Sequence, residues 1–262
     1  MRSNTIGVNL YSVRRHCQSA GDLDATLERI AAIGYPSVQV SGVGPIAAGK
    51  IAEMLERHSL SACATHERLG ALTEHVGEVI EKMRTLGAPF TALGFPGNEY
   101  FRAEGAAELA EALAEPAKAI AGAGLSFGYH NHEWEFERFA AESGLDGPTF
   151  FEEFLEASAG LPITVELDIH WVVRGGASPA RFIRDWADRM GPMHIKDFAV
   201  DGRKPVFAEV GEGNLDWDAI LSAAADAGID TYIVEQDEPR EGRDIFDSLA
   251  ISLENMGKMG LV

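Results

Sequence analysis

The chain has 262 residues, 46% of them hydrophobic and 24% charged, which is enough apolar material for one large core and far from the composition of a disordered chain. Its 22 Lys and Arg stand against 41 Asp and Glu, a formal net charge of −19 with no basic cluster, which argues against nucleic acid or an anionic membrane surface as a partner. Cys17 and Cys63 lack CxxC spacing, the start MRSNTIGVNLYSVRR lacks the apolar stretch of a signal peptide, and no run reaches the ~18 apolar residues of a membrane span; a cytoplasmic location is expected.

In chain order, the first strand candidate is TIGVNLY, ending at Tyr11 with Arg14 just beyond. A helix follows in DLDATLERIAAIG, where Leu23, Leu27, Ile30 and Ala31 share one face and Gly34 stands where a C-cap belongs. PSVQVSG, SACATHE, FTALGFP, LSFGYHNH, ITVELDIHW, PMHIKDF and TYIVEQD continue the series, and the phrase of helix, glycine and strand recurs in KMRTLGAPFTALGF, AIAGAGLSFGYH and AAADAGIDTYIVEQD. Eight such units with tight connections predict an α/β fold, a (β/α)8 TIM barrel forming a single domain over residues 1–262. Two longer irregular segments, residues 131–147 and 198–214, both follow strands and are expected to act as lids or substrate walls.

Strand starts are apolar and strand ends are not. His66 and Glu67 close the third strand, His130 and His132 the fifth, Glu166 and Asp168 the sixth, His194 and Lys196 the seventh, and Glu235 and Asp237 the eighth. Closure of the barrel brings these ends to one mouth. Period-2 alternation sets His130 and His132 on one face, with Tyr129 and Asn131 on the other. A divalent metal needs converging carboxylate oxygens and imidazole nitrogens; Asp168, His194 and Glu235 supply three, and either His130 or His132 the fourth. Glu166 lies one pleat deeper than Asp168, where it either pairs with Lys196 or takes a catalytic role. Trp171 is either a core residue or a stacking face for a sugar ring.

Taken together, YHNHEWEF, VELDIHWVVRGG, MHIKDF, EVGEGNLDW and YIVEQDE resemble the xylose isomerase-like TIM barrel superfamily over nearly the whole chain, closest to its sugar phosphate isomerase/epimerase branch with inosose dehydratases and enzymes of 3-keto-glycosides. The resemblance implies one divalent metal ion, Mn2+, Co2+, Mg2+ or Zn2+, on Asp168, His194, Glu235 and a strand-five residue. Many relatives carry a Glu where this chain has His130, and the epimerases carry a substrate-binding His where it has Trp171. The implied activity is a metal-dependent isomerase, epimerase or lyase that abstracts a proton next to the carbonyl of an unphosphorylated keto-sugar, cyclitol or 3-keto-glycoside. Glu235 or His132 is the expected base, Lys196 the group that protonates or holds an oxygen, and His66, Glu135, Trp171 and Tyr11 the substrate pocket. Abasic-site endonucleases share the barrel and are the competing class; a non-catalytic sugar-binding barrel is a third. The expected partner is a small carbohydrate or cyclitol, and a homo-oligomer is compatible with this picture.

Overall fold

The structure is a computed structural model that describes residues 4–139 and 147–262. Strands β1 (Thr5–Asn9), β2 (Ser37–Val40), β3 (Ser61–Glu67), β4 (Phe90–Leu93), β5 (Ser126–His130), β6 (Thr164–Asp168) and β7 (Met190–Ile195) are followed by a hairpin, β8 (Asp197–Asp201) and β9 (Lys204–Ala208), and then by β10 (Thr231–Val234). β1 to β7 and β10 are parallel neighbours that close into an eight-stranded barrel, as the sequence predicts. Helices α1 (Ala20–Ile33), α2 (Ala48–Arg57), α3 (Leu69–Leu86), α4 (Gly105–Gly122), α5 (Phe150–Ala157), α6 (Ile169–Arg174), α7 (Pro179–Asp185), α8 (Trp217–Asp226) and α9 (Ile245–Lys258) connect the strands. α1 shows why: the Ser19 hydroxyl caps its start on Asp22 N, Leu23, Leu27 and Ile30 are buried, and Gly34 closes it at φ 112°, a backbone open mainly to glycine.

The main core lies between the sheet and these helices, while a separate small cluster of Cys63, Ala64, Phe90, Ala92 and Ile233 is buried apart from it. Ile233 and Gly128 stand one pleat below Glu235 and His130, so alternation puts this apolar plug beneath the polar strand ends. Gly128 makes room for it, since a Cβ there would lie 2.5 Å from Phe90 Cζ.

The segment 198–214, expected to be irregular, differs: it contains the β8–β9 hairpin, turned at Gly202 and Arg203 with φ of 53° and 67°. Its hydrophobic alternation is short, and its order comes from Asp197. That buried carboxylate accepts from Gly211 N (2.9 Å), Gly213 N (3.0 Å) and Trp217 Nε1 (2.8 Å) through Oδ2, and from Phe198 N (2.7 Å) and Leu215 N (3.3 Å) through Oδ1. A side chain on Gly213 would collide with Asp197, which gives EVGEGNLDW a structural role. The expected segment 131–147 is described only to residue 139 and from 147; the remainder lies outside the described residues. No helix among the described residues is long and apolar enough to cross a membrane.

Candidate active site

β5 ends at His130, and the chain beyond it is pinned so that both imidazoles face the mouth. Their ring centroids are 5.0 Å apart, while Tyr129 on the opposite face packs 4.7 Å from the Phe154 ring. Asn131 ties the segment to β6, accepting from Asp168 N at 2.9 Å and donating to Asp168 O at 3.3 Å. Glu135 completes the tie and corrects the expectation that it shapes the substrate pocket. It is fully buried, with the Tyr129 hydroxyl donating to Oε1 and His132 N donating to Oε2, both at 2.7 Å. Both oxygens are spent on its own chain. Burial pushes this carboxyl up to about 7.

Donor atoms of His130, Asp168, His194 and Glu235 lie within 4.8 Å of one another. His194 Nδ1 is 3.3 Å from Glu235 Oε2 and 4.0 Å from Asp168 Oδ2, which brackets the roughly 3.4 Å between two ligands each ~2.1 Å from a tetrahedral ion. Asp168 Oδ1 caps α6, accepting from His170 N at 3.0 Å and Trp171 N at 3.3 Å. Its Oδ2 is left facing the cluster without an aligned hydrogen bond, although Lys196 Nζ lies 3.1 Å away. Asn9 Nδ2 donates to Glu235 Oε1 at 2.8 Å.

Lys196 does not pair with Glu166 as one of the two expectations had it. Its ammonium sits 3.1 Å from Asp168, 2.7 Å from Glu235 and 2.5 Å from Asp237. Glu166 instead meets Gln39 Nε2 at 2.7 Å, His66 Nε2, His130 Nδ1 at 3.2 Å and His194 Nε2 at 3.4 Å. The reason is depth: Glu166 is one pleat lower, level with β2, whereas Lys196 follows the end of β7 and meets the acids at the rim.

The electrostatics follow from burial and from these pairs. Burial holds His130 down at about 4 and His132 well below the usual imidazole range, so both are neutral. Burial also opposes charge on His194, but Glu166 and Glu235 overcome it and raise the imidazole to about 10. Burial pushes Asp168 up to about 6 against the pull of Lys196. For Glu235 burial is outweighed by Lys196 and His194, which hold it well below the carboxylate range. Four buried or nearly buried acids are gathered here, Asp168, Glu235 and Asp237 around the Lys196 ammonium and Glu166 against His194, and the negative charge in excess of these two cations favours a further cation. Two carboxylates and two imidazoles suit a divalent ion such as Mn2+, Co2+, Mg2+ or Zn2+.

Above the cluster opens a cavity of about 570 Å³, in the range of small-molecule sites. Tyr11, His66, His130, His132, Trp171, Glu235 and Asp237 line it, with Glu67, Arg68, Phe95 and Trp134 at its walls. Of the residues expected at the pocket, Tyr11, His66 and Trp171 are therefore brought together and Glu135 is not. Asp168, His194 and Lys196 lie beneath, fully or almost fully buried. Sequence reasoning missed Asn9 and Gln39, both fully buried; the signal was a lone amide amid the apolar residues of GVN and VQV. It also missed Phe95 and Trp134, 39% and 45% exposed with rings 5.4 Å apart, which form an aromatic rim beside His132.

The family described as xylose isomerase-like TIM barrel matches the chain over residues 27–250. No curated protein matches. Among solved structures, a sugar phosphate isomerase/epimerase from Parabacteroides distasonis superposes with a TM-score of 0.84 at 22% identity, covering 100% of this chain and 96% of its own. An L-ribulose 3-epimerase gives 0.72 at 19% identity over 99% and 95% of the two chains. A xylose isomerase-like TIM barrel protein from Mycobacterium smegmatis, in complex with magnesium, gives 0.73 at 14% identity over 98% of each. At these identities the likeness is one of fold.

Proposed function

Because the chain belongs to the xylose isomerase-like TIM barrel family, we propose that it is a divalent-metal-dependent isomerase, epimerase or lyase acting next to the carbonyl of an unphosphorylated keto-sugar, cyclitol or 3-keto-glycoside. The observation that carries this reading is the buried His130, Asp168, His194 and Glu235 cluster at the floor of a cavity walled by Trp171, Trp134 and Tyr11. A divalent ion on that cluster supplies Lewis-acid polarisation of a carbonyl, which acidifies the neighbouring C–H. Glu235, ionised and at the cavity edge, is placed to take that proton, with Asn9 fixing the orientation of its carboxylate. Lys196, 2.7 Å from Glu235, is placed to return a proton or to hold a substrate oxygen. His132 offers a second candidate base, since it lines the cavity. Trp171 lines the cavity, where its ring would pack on the apolar side of a sugar.

Charge favours an unphosphorylated substrate: Glu67, Glu235 and Asp237 line the cavity with Arg68, and Lys196 beneath is already held by Glu235 and Asp237. The net charge of −19 likewise disfavours the abasic-site endonuclease reading, which needs a track for a polyanion. A sugar-binding barrel without turnover gains nothing from a buried base beside an ammonium. Two buried, unpaired cysteines fit a reducing, cytoplasmic setting.

The test is incubation of keto-sugars, inososes and 3-keto-glycosides with the manganese-loaded protein in deuterated water. Deuterium at the carbon next to the carbonyl is expected, with a retained skeleton marking an isomerase or epimerase and loss of water or aglycone a lyase. Absence of exchange across all three classes, with metal bound, would refute proton abstraction.

A further inference from the structure

The amide of Gln39 lies between Glu166 and His194, and its two ends are not interchangeable. A carboxylate accepts and does not donate, so the Gln39 atom 2.7 Å from Glu166 Oε1 is the amide nitrogen. Its carbonyl oxygen then faces His194 Nε2 at 2.6 Å, which requires a proton on that ring nitrogen. In neutral His194 the lone pair is therefore left on Nδ1, the atom that faces Glu235 Oε2 at 3.3 Å and Asp168 Oδ2 at 4.0 Å. Glu166 Oε2 gathers the neighbouring rings as well. His66 Nε2 approaches it, with Ser41 Oγ 3.4 Å from the other nitrogen of His66, and His130 Nδ1 lies 3.2 Å away, off the line of a well-formed hydrogen bond. Glu166, Gln39 and His194 are all fully buried, so water does not compete for these contacts.

We propose that Glu166 and Gln39 are positioning residues that fix the tautomer and ring orientation of His194, so that Nδ1 is the atom it presents to a divalent ion alongside Asp168 and Glu235. The inference rests on the metal-dependent reading above. The same carboxylate places a negative charge behind the imidazoles, which raises their basicity as ligands. His66, His130, Glu166 and His194 are also close enough to ligate an ion themselves. That arrangement, however, needs the lone pair of His194 Nε2, which would then meet the Gln39 carbonyl oxygen lone pair to lone pair at 2.6 Å.

The test uses Co2+ as the probe, titrated into metal-free wild-type protein, Glu166→Gln and Gln39→Met, with visible d–d absorption as the readout and thermal melts of the metal-free proteins as the folding control. Wild type is expected to bind one Co2+ per chain. Each variant is expected to bind it about 10- to 100-fold more weakly, the usual effect of removing an outer hydrogen-bond partner of a ligand, and with an altered d–d spectrum because the ring is no longer held. A loss of packing alone would leave the spectrum of the bound ion unchanged. Unchanged affinity and spectrum in the variants would overturn the positioning role and leave the metal reading intact. Two Co2+ per wild-type chain, one of them lost in Glu166→Gln, would overturn it in favour of a second ion. Wild type that binds no Co2+ would overturn both. Should Glu166→Gln not fold, Gln39→Met decides the matter alone.

Discussion

Replacing Tyr129 with Phe removes one hydroxyl from the buried tie beneath the strand-five imidazoles, and the cost should depend on pH. Glu135 is fully buried and accepts two hydrogen bonds, each 2.7 Å, from the Tyr129 hydroxyl and from His132 N. Burial raises its carboxyl to about 7, against an ordinary 4.5, and the Tyr129 hydroxyl is one of the groups that restrain the rise. A raised carboxyl contributes stability that is fully present below the unfolded value and is lost as pH climbs through the folded one. Tyr129→Phe raises the folded value further and so deepens that loss above pH 7. At pH 5.5 the group is mainly protonated, and losing a neutral hydrogen bond should cost about 1 kcal/mol; at pH 8 it is ionised, and losing a charge-assisted one should cost about 1.5 to 3 kcal/mol. For a chain of this size that is a melting shift of roughly 2 to 4 °C per kcal/mol. Urea unfolding of both proteins at the two pH values measures the difference. Equal destabilisation at pH 5.5 and pH 8, or a loss under about 0.5 kcal/mol at pH 8, would refute the account of Glu135 as a buried acid ionised at the expense of the fold.

Asp168→Ala and His194→Ala should each abolish near-stoichiometric metal in protein purified without chelator, measured by elemental analysis; full occupancy in either would remove that residue from the ligand set. Glu235→Gln, with metal restored by excess manganese, should lower turnover by about 10² to 10⁴ while changing substrate affinity far less. If His132→Asn instead loses deuterium exchange while metal-loaded Glu235→Gln keeps it, the base belongs to strand five. Titration with abasic-site DNA should give weak or no binding, and a salt-sensitive submicromolar complex would reverse the ranking of functions.

The eight strands were legible because each is a short apolar run closed by a turn signal, and the facing of their ends was legible because alternation needs no knowledge of neighbours. Asp168, His194, Glu235 and His130 could thus be placed at one mouth from the sequence. Which groups meet across the barrel could not. The Gln39–Glu166 contact spans 127 residues, and its depth depends on how the sheet closes. Two irregularities alter that closure: Val38 and Gln39 of β2 pair with Ala62 and Ala64, leaving Cys63 of β3 extra, and Val165 and Leu167 of β6 pair with Met190 and Met193 of β7, which sets Asp168 opposite His194. The first leaves no glycine or proline at the shifted residues, whereas the second falls on Gly191 and Pro192, a signal the sequence does carry. Lys196 and Glu166 looked like partners because both are charged and both lie near strand ends; a single pleat of depth separates the acid that gathers imidazoles from the acids that gather the ammonium. Glu135 failed for a related reason. A glutamate in a loop after a strand reads as exposed, and only the buried Tyr129 hydroxyl and the His132 amide, brought within 2.7 Å by the turn itself, make burial of its carboxylate tolerable. What alternation supplies is direction; what the site uses is level, and level is a property of the closed sheet rather than of any one strand.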